Sequence, residues 1–131
     1  MEDAFKVEII SPENIVYTGD AAMTTMPSYE GDMSILKGHI PLITFLRPGI
    51  IKVKKNDNNS QDFFIEEGTV EFYDDSLVIL SASAKNTKDL SKDFIDKITK
   101  ETEQKLEQKD ITDQDRYILN HKLHAIKELR I

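Results

Sequence analysis

Few side chains in this sequence are of a type that does chemistry. The histidines are His39, His121 and His124, and cysteine is absent. His121 and His124 stand three apart, so on a helix they share one face and could hold a metal ion together. A metal site needs a further histidine or carboxylate at a diagnostic spacing, and none follows. The pair therefore reads as part of a solvated helix face. Asp113 and Arg116 repeat the spacing and read as an ordinary surface pair. As a general acid or base, His39 lacks a nucleophile beside it, so it reads as a contact residue. No phosphate-cradling glycine loop precedes a Lys-Ser/Thr pair, and no dinucleotide fingerprint occurs. Without cysteine there is neither a thiol nucleophile nor a disulfide, as suits a reducing compartment. The expectation is a protein with no catalytic constellation, cofactor or metal.

Glycine spacing is more informative. Gly31 and Gly38, seven positions apart, bracket the apolar run Met33–Leu36, and Pro41 follows the second glycine by three. Both glycines can take positive φ at little steric cost, and Pro41 biases Ile40 towards an extended conformation. The expectation is a turn, a short strand and a second turn.

That unit must sit among strands. Phe5, Val7 and Ile9 alternate with Lys6, Glu8 and Ile10. Ser11-Pro12-Glu13-Asn14 breaks the pattern, Ile15–Thr18 resumes it, and Gly19-Asp20 reads as another turn. Ala21–Met26 ends at Pro27. Leu42–Leu46 closes at Pro48-Gly49, and Ile50–Lys54 runs to the polar turn Asn56–Asn59. Phe63–Ile65 and Thr69–Tyr73 flank Gly68, which reads as a tight turn or bulge. Asp74-Asp75-Ser76 turns into Leu77–Leu80. About nine short strands with frequent turn signals predict an antiparallel β-sandwich or flattened barrel over residues 1–85.

The period then changes. Leu90, Phe94, Ile95, Ile98, Thr102 and Leu106 lie at helical spacing, which predicts a helix from Lys92 to Gln108, about 25 Å long, capped by Ser91. Thr112 caps a second helix whose apolar stripe is Ile118, Leu119, Leu123, Ile126 and Leu129. The two predict an antiparallel α-helical hairpin over residues 86–131. Each stripe is thin, so hairpin burial barely exceeds its ordering entropy and more than one arrangement is expected.

Charge supports the same division. Residues 1–85 carry seven Lys/Arg against fourteen Asp/Glu, and residues 86–131 carry ten of each, for a total of −7. A nucleic-acid-binding role is disfavoured. No apolar run reaches spanning length and the start lacks a signal-peptide pattern, so any membrane association is expected to pass through a partner.

The run Gly31-Asp32-Met33-Ser34-Ile35-Leu36-Lys37-Gly38-His39-Ile40-Pro41-Leu42 resembles Gly-Asp/Glu-x-x-Ile-Leu-x-Gly-His-x-Pro-Leu. That is a signature of the epsilon subunit of bacterial and chloroplast F-type ATP synthases, called delta in mitochondria. Leu46-Arg47-Pro48-Gly49, Phe64–Glu71 and Leu80–Ala84 match in order, and the resemblance covers nearly the whole chain. Ser34 stands where the family usually has glycine, Lys37 where it often has proline, and Glu67-Gly68 where it has a glycine pair.

The resemblance implies a non-catalytic rotor component that couples the gamma subunit and the membrane c-ring to the alpha and beta subunits of the catalytic head. It implies that Glu30, Gly31 and Asp32 rest on the ring and that His39 and Thr44 face gamma. It implies that Lys122, Lys127 and Arg130 meet the acidic loop of the beta subunits when the hairpin extends as a brake on ATP hydrolysis. Its place would be the cytoplasmic face of the bacterial plasma membrane, or the equivalent organelle membrane. Some members bind ATP through Ile/Leu-Asp-x-x-Arg-Ala. Here Leu90-Ser91-Lys92-Asp93-Phe94-Ile95 lacks the aspartate and the arginine, so ATP sensing by that route is not expected. The alternative reading is a free-standing β-sandwich module holding a small ligand such as a sugar or nucleotide; a third, an enzyme, finds no constellation.

Overall fold

Alternating burial organises the first two thirds of the chain. In the computed structural model, which describes residues 3–129, strand β1 (Phe5–Ile10) buries Phe5, Val7 and Ile9 and turns Lys6, Glu8 and Ile10 outward. The other strands follow as β2 (Ile15–Ala21), β3 (Met23–Ser28), β4 (Gly31–Leu36), β5 (Leu42–Leu46) and β6 (Gly49–Asn56). Then come β7 (Asn59–Ile65), β8 (Gly68–Tyr73), β9 (Ser76–Leu80) and the two-residue β10 (Lys85–Asn86). They form one folded-over sheet in the order β10-β7-β6-β3-β5-β8-β9-β1-β2, with β4 attached to β3. Its ends meet where Tyr17 of β2 packs on Phe63 of β7, ring centroids 5.5 Å apart. The enclosed core includes Ile9, Met26, Ile35, Leu46, Ile51, Phe63, Phe72 and Ile79, all at most 1% exposed. These side chains occupy the space between the layers, where the ligand-module alternative would put its ligand.

Three local features depart from the expectations. Gly19 does not turn the chain but lies within β2, because the Tyr17 ring folds over it: a Cβ there would meet the Tyr17 hydroxyl at 2.8 Å. Gly68 opens β8 rather than forming a turn, and a Cβ there would crowd the Leu80 carbonyl at 3.2 Å. The sheet is not wholly antiparallel, since β1 and β9 run parallel from Lys6↔Ser76 to Ile10↔Leu80. The β8–β9 hairpin closes through Asp74 and Asp75, at φ 50° and 57°, the left-handed pair that suits a two-residue hairpin loop.

After a short 3-10 turn (Thr87–Asp89) come helices α1 (Lys92–Leu106) and α2 (Asp113–Glu128). Ser91 and Thr112 cap them as expected, accepting the Phe94 and Asp115 N–H groups at 3.1 and 3.0 Å. Helix α1 stops two residues short of Gln108. Its end tightens, with Glu107 and Gln108 N–H groups bonding three residues back to the Gln104 and Lys105 carbonyls. The hairpin seats on the sheet through Ile98, Ala125 and Ile126 packed against Phe64, with Ile50, Leu90, Phe94, Ile95 and Leu129 around them. The predicted stripe of α2 is only partly the buried one: Ile126 is covered, Ile118, Leu119, Leu123 and Leu129 are half-buried, and Lys122 and Ala125 are buried. Among the described residues no helix is long and apolar enough to cross a membrane.

Candidate functional site

Strand β4 carries the glycine-bracketed unit, and each end of it is held differently. At its start, Tyr29 and Glu30 form the tip of the β3–β4 hairpin, where Ser28 pairs with Gly31. The Ser28 hydroxyl donates to the Gly31 carbonyl at 2.6 Å and accepts the Glu30 N–H at 3.3 Å. Gly31 has φ 124°, with nothing within 4 Å of where a Cβ would stand. Glu30 is exposed, and the Asp32 carboxylate, although paired with Arg47 at 3.3 Å, still shows 71% of its side-chain surface.

At the other end, Gly38 has φ 83° and its N–H donates to the Asp75 carboxylate at 2.7 Å. His39 is half-buried, its ring edge-on to Phe72 at 5.8 Å, and its Nδ1–H donates to the Ile40 carbonyl at 2.7 Å. The two ends are separated by the length of β4, about 20 Å at strand rise. The structure thus sets the predicted ring contacts Glu30, Gly31 and Asp32 and the predicted gamma contact His39 at opposite ends of β4, with Thr44 on β5.

Thr44 is turned the other way from a surface contact. On β5, Leu42, Thr44 and Leu46 face the core while Ile43 and Phe45 face outward. Register places Phe45 opposite Thr69, Thr69 opposite Leu80, Leu80 opposite Ile10, and Ile10 opposite Ile15. One outer row across five strands is therefore almost wholly apolar. Phe45, Leu80 and Ile15 are 63%, 51% and 59% exposed, and Ile43 and Ile40 extend the patch. An open cleft beside Ile10 and Leu80 is lined by Ile10, Pro12, Leu80 and Ala82 together with Ser11, Glu67 and Ser81. The signal missed in the sequence was Leu42-Ile43-Thr44-Phe45-Leu46, whose outward positions are as apolar as its inward ones, and the Ile9-Ile10 pair in β1. An exposed row in which four of five residues are apolar marks a candidate interaction site.

The hairpin residues scatter. Lys127 is exposed, Lys122 is buried in an ion pair with Glu66, and Arg130 lies outside the described residues. His121 packs edge-on against Tyr117 at 4.4 Å, and its neighbourhood includes Arg47 and His124. Burial holds its pKa below the ordinary value, helped by the Arg47 and His124 charges, while Asp32 pulls the other way. His124 turns from His121 to Glu128 at 3.5 Å. Among the described residues no three His, Cys, Asp or Glu side chains gather at metal-binding separation.

The sheet matches a known family. The family model for the ATP synthase delta/epsilon chain, β-sandwich domain, covers residues 4–87. The chain belongs to the ATP synthase delta/epsilon family. The ATP synthase epsilon chain of Pelagibacter ubique is 39% identical over 132 residues, 98% of this chain and 99% of that one. That of Parvibaculum lavamentivorans is 32% identical over 134 residues, again nearly end to end. Among solved structures, a chain of the Euglena gracilis mitochondrial ATP synthase superimposes with TM-score 0.75 at 19% identity, covering 97% of this chain and 79% of that chain. A chain of the Tetrahymena thermophila mitochondrial ATP synthase central stalk and c-ring gives TM-score 0.64 at 17% identity, covering 96% of each. At those identities the two structures speak for the fold alone. Membership in the delta/epsilon family makes this a non-catalytic subunit of an ATP synthase complex.

Proposed function

We propose that this delta/epsilon chain is the part of a proton-translocating rotor that joins the gamma subunit to the c-ring, at the cytoplasmic face of a bacterial plasma membrane or its organelle equivalent. The observation that carries the reading is the outer row Phe45–Leu80–Ile10–Ile15, an apolar face that suits a permanent partner within a stalk. Gamma is its occupant, and His39, packed edge-on against Phe72, is a further contact with it. The exposed Tyr29–Asp32 turn, beside the Phe45 end of that row because Leu46 pairs with Ser28, rests on the polar loops of the ring. Both contacts sit on one continuous sheet, which supports a clamp, because torque passes through the sheet rather than through a loop. Lys127, and Lys122 when released from Glu66, meet the acidic surface of the beta subunits, and the hairpin in that position impedes hydrolysis by the alpha–beta head.

The test is a titration of the isolated chain with the gamma subunit. Phe45→Glu and Leu80→Glu place a charge in the proposed dry interface and are expected to weaken binding at least tenfold, with denaturant midpoints unchanged. Unaltered gamma binding by both variants overturns the assignment of this face.

A further inference from the structure

Helix α2 reaches the same turn that the clamp reading gives to the ring. The Tyr117 ring stacks on Tyr29 with centroids 6.0 Å apart and planes 16° from parallel. Its hydroxyl donates to the Tyr29 carbonyl at 3.1 Å. Tyr117 is in turn backed by His121, and the cleft beside them is walled by Arg47, the residue paired with Asp32. The hairpin thus touches the two-residue tip of the β3–β4 loop directly and reaches Asp32 through one side chain. Tyr29 remains 44% exposed with α2 in place, so the tip is open to an outside occupant at the same time.

We infer that the Tyr29–Tyr117 contact wires the β3–β4 turn to the seat of the helical hairpin, so that occupation of the turn and docking of α2 bias each other. The inference rests on the reading that the turn meets a partner. The remaining seat is modest: among the described hairpin residues Ile98, Thr102, Lys122, Ala125 and Ile126 are buried, with Phe94, Ile95 and Leu129 half-buried around them. The contact supplied by the turn adds to this seat and to the Lys122–Glu66 pair in holding α2 down. The turn is held chiefly by its own Ser28 hydroxyl and contains Gly31 in open space, so its tip can shift without disturbing the sheet. An occupant that moves the Tyr29 carbonyl or ring loosens α2 by its differential affinity for the two arrangements. By linkage, release of α2 changes the occupant's affinity by the same factor. The ring-facing turn then reports attachment to the hairpin.

The chain has no cysteine, so spin labels at Thr18→Cys on β2 and Lys127→Cys on α2, both exposed, report one distance in the full chain. The measurement is made at the urea concentration where the parent chain is half docked. Tyr29→Ala and Tyr117→Ala are each expected to lower the docked-to-undocked ratio about two- to tenfold. The double variant is expected to do no more than either alone, since they remove one contact. Asn58→Ala, exposed in the β6–β7 turn, leaves the ratio unchanged. In the converse arm, Ile126→Asp breaks the apolar seat and is expected to shift the amide signals of Tyr29 and Glu30. Unchanged ratios in both tyrosine variants, full additivity, or turn amides indifferent to Ile126→Asp overturn the linkage. So does undocking that never separates from unfolding of the sheet. Because these arms use the chain alone, they fail independently of the clamp reading. An Asp32→Ala chain that stays on the ring overturns the turn's assigned partner and leaves the linkage standing.

Discussion

The Lys122 ammonium, on α2, is buried against the Glu66 carboxylate between β7 and β8. Glu66 is fixed by its own backbone, whose N–H donates to the Ser83 hydroxyl at 2.9 Å. Lys122 side-chain exposure is 11% and that of Glu66 is 45%, so the pair is screened from one side only. Glu66→Gln strands a buried ammonium and is expected to destabilise the docked hairpin by about 1–2 kcal/mol, discounted for the open side. Lys122→Met keeps the apolar stem, removes the charge and costs less than about 1 kcal/mol. Urea titration followed by the α2–sheet distance checks the order. A larger loss from Lys122→Met contradicts this account of the pair.

Thr44 and Ile43 are adjacent and face opposite ways. Ile43→Glu is expected to change the isolated fold by no more than about 0.5 kcal/mol, because the side chain is 72% exposed. Thr44→Glu forces a carboxylate towards the core beside Val70 and is expected to cost more than about 2 kcal/mol. Paired denaturant midpoints decide. Equal midpoints would show that β5 is not held in this register.

The glycines of the bracketed unit have different neighbours but the same backbone demand. Gly31→Val and Gly38→Val, at φ 124° and 83°, are each expected to cost about 1–3 kcal/mol in the isolated chain. Asp32→Ala removes a carboxylate that is 71% exposed from a largely buried Arg47 and is expected to stay within about 1 kcal/mol. His39→Ala loses an edge-on contact with Phe72 and costs about 0.5–1.5 kcal/mol. Calorimetry of the four variants sets the order, and an Asp32→Ala loss as large as that of Gly31→Val contradicts it.

Docking of α2 is expected to depend on pH through His121. Its pKa is lowered in the docked arrangement, so the undocked chain takes up the proton first as pH falls below about 6.5. The stabilisation is complete above that value and is lost progressively below it, down to the docked pKa. Arg47, His124, Lys52, Asp32 and Glu128 line the cleft around the ring and set the local charge. The docked fraction measured by spin-label distance is expected to fall between pH 7 and 5.5, and His121→Gln flattens that part of the profile. A profile unchanged by His121→Gln assigns the effect to another group.

The period change near residue 86 divides the chain into units we expect to fold separately. Cutting after Ala84 removes β10, whose Lys85 and Asn86 pair with Phe64 and Phe63, and the Asn86 amide bond to Gln61 at 3.1 Å. Cutting after Leu90 keeps all of these. The longer fragment is expected to melt cooperatively and above the shorter one, by circular dichroism. A longer fragment that is unfolded makes the hairpin part of the sheet's folding unit.

Local physics settled what the sequence could settle. Period-two alternation specified the strands, helical spacing with Ser91 and Thr112 specified the hairpin, and Gly31 and Gly38 were legible because positive φ is a demand on one residue. The family too was legible, since the motif run from Gly31 to Leu42 is contiguous. Tertiary structure alone decided what faces what. Gly19 stays in a strand because Tyr17 covers it, and Thr44 faces inward because β5 pairs with β8 in one of two registers that local alternation leaves open. The apolar row Phe45–Leu80–Ile10–Ile15 draws on four strands distant in sequence, so no window of the chain contains it. Lys122 is buried because Glu66, 56 positions away, stands where α2 lands. Such contacts depend on how the elements are stacked, and a sequence pattern carries only the period of each element, not its neighbour.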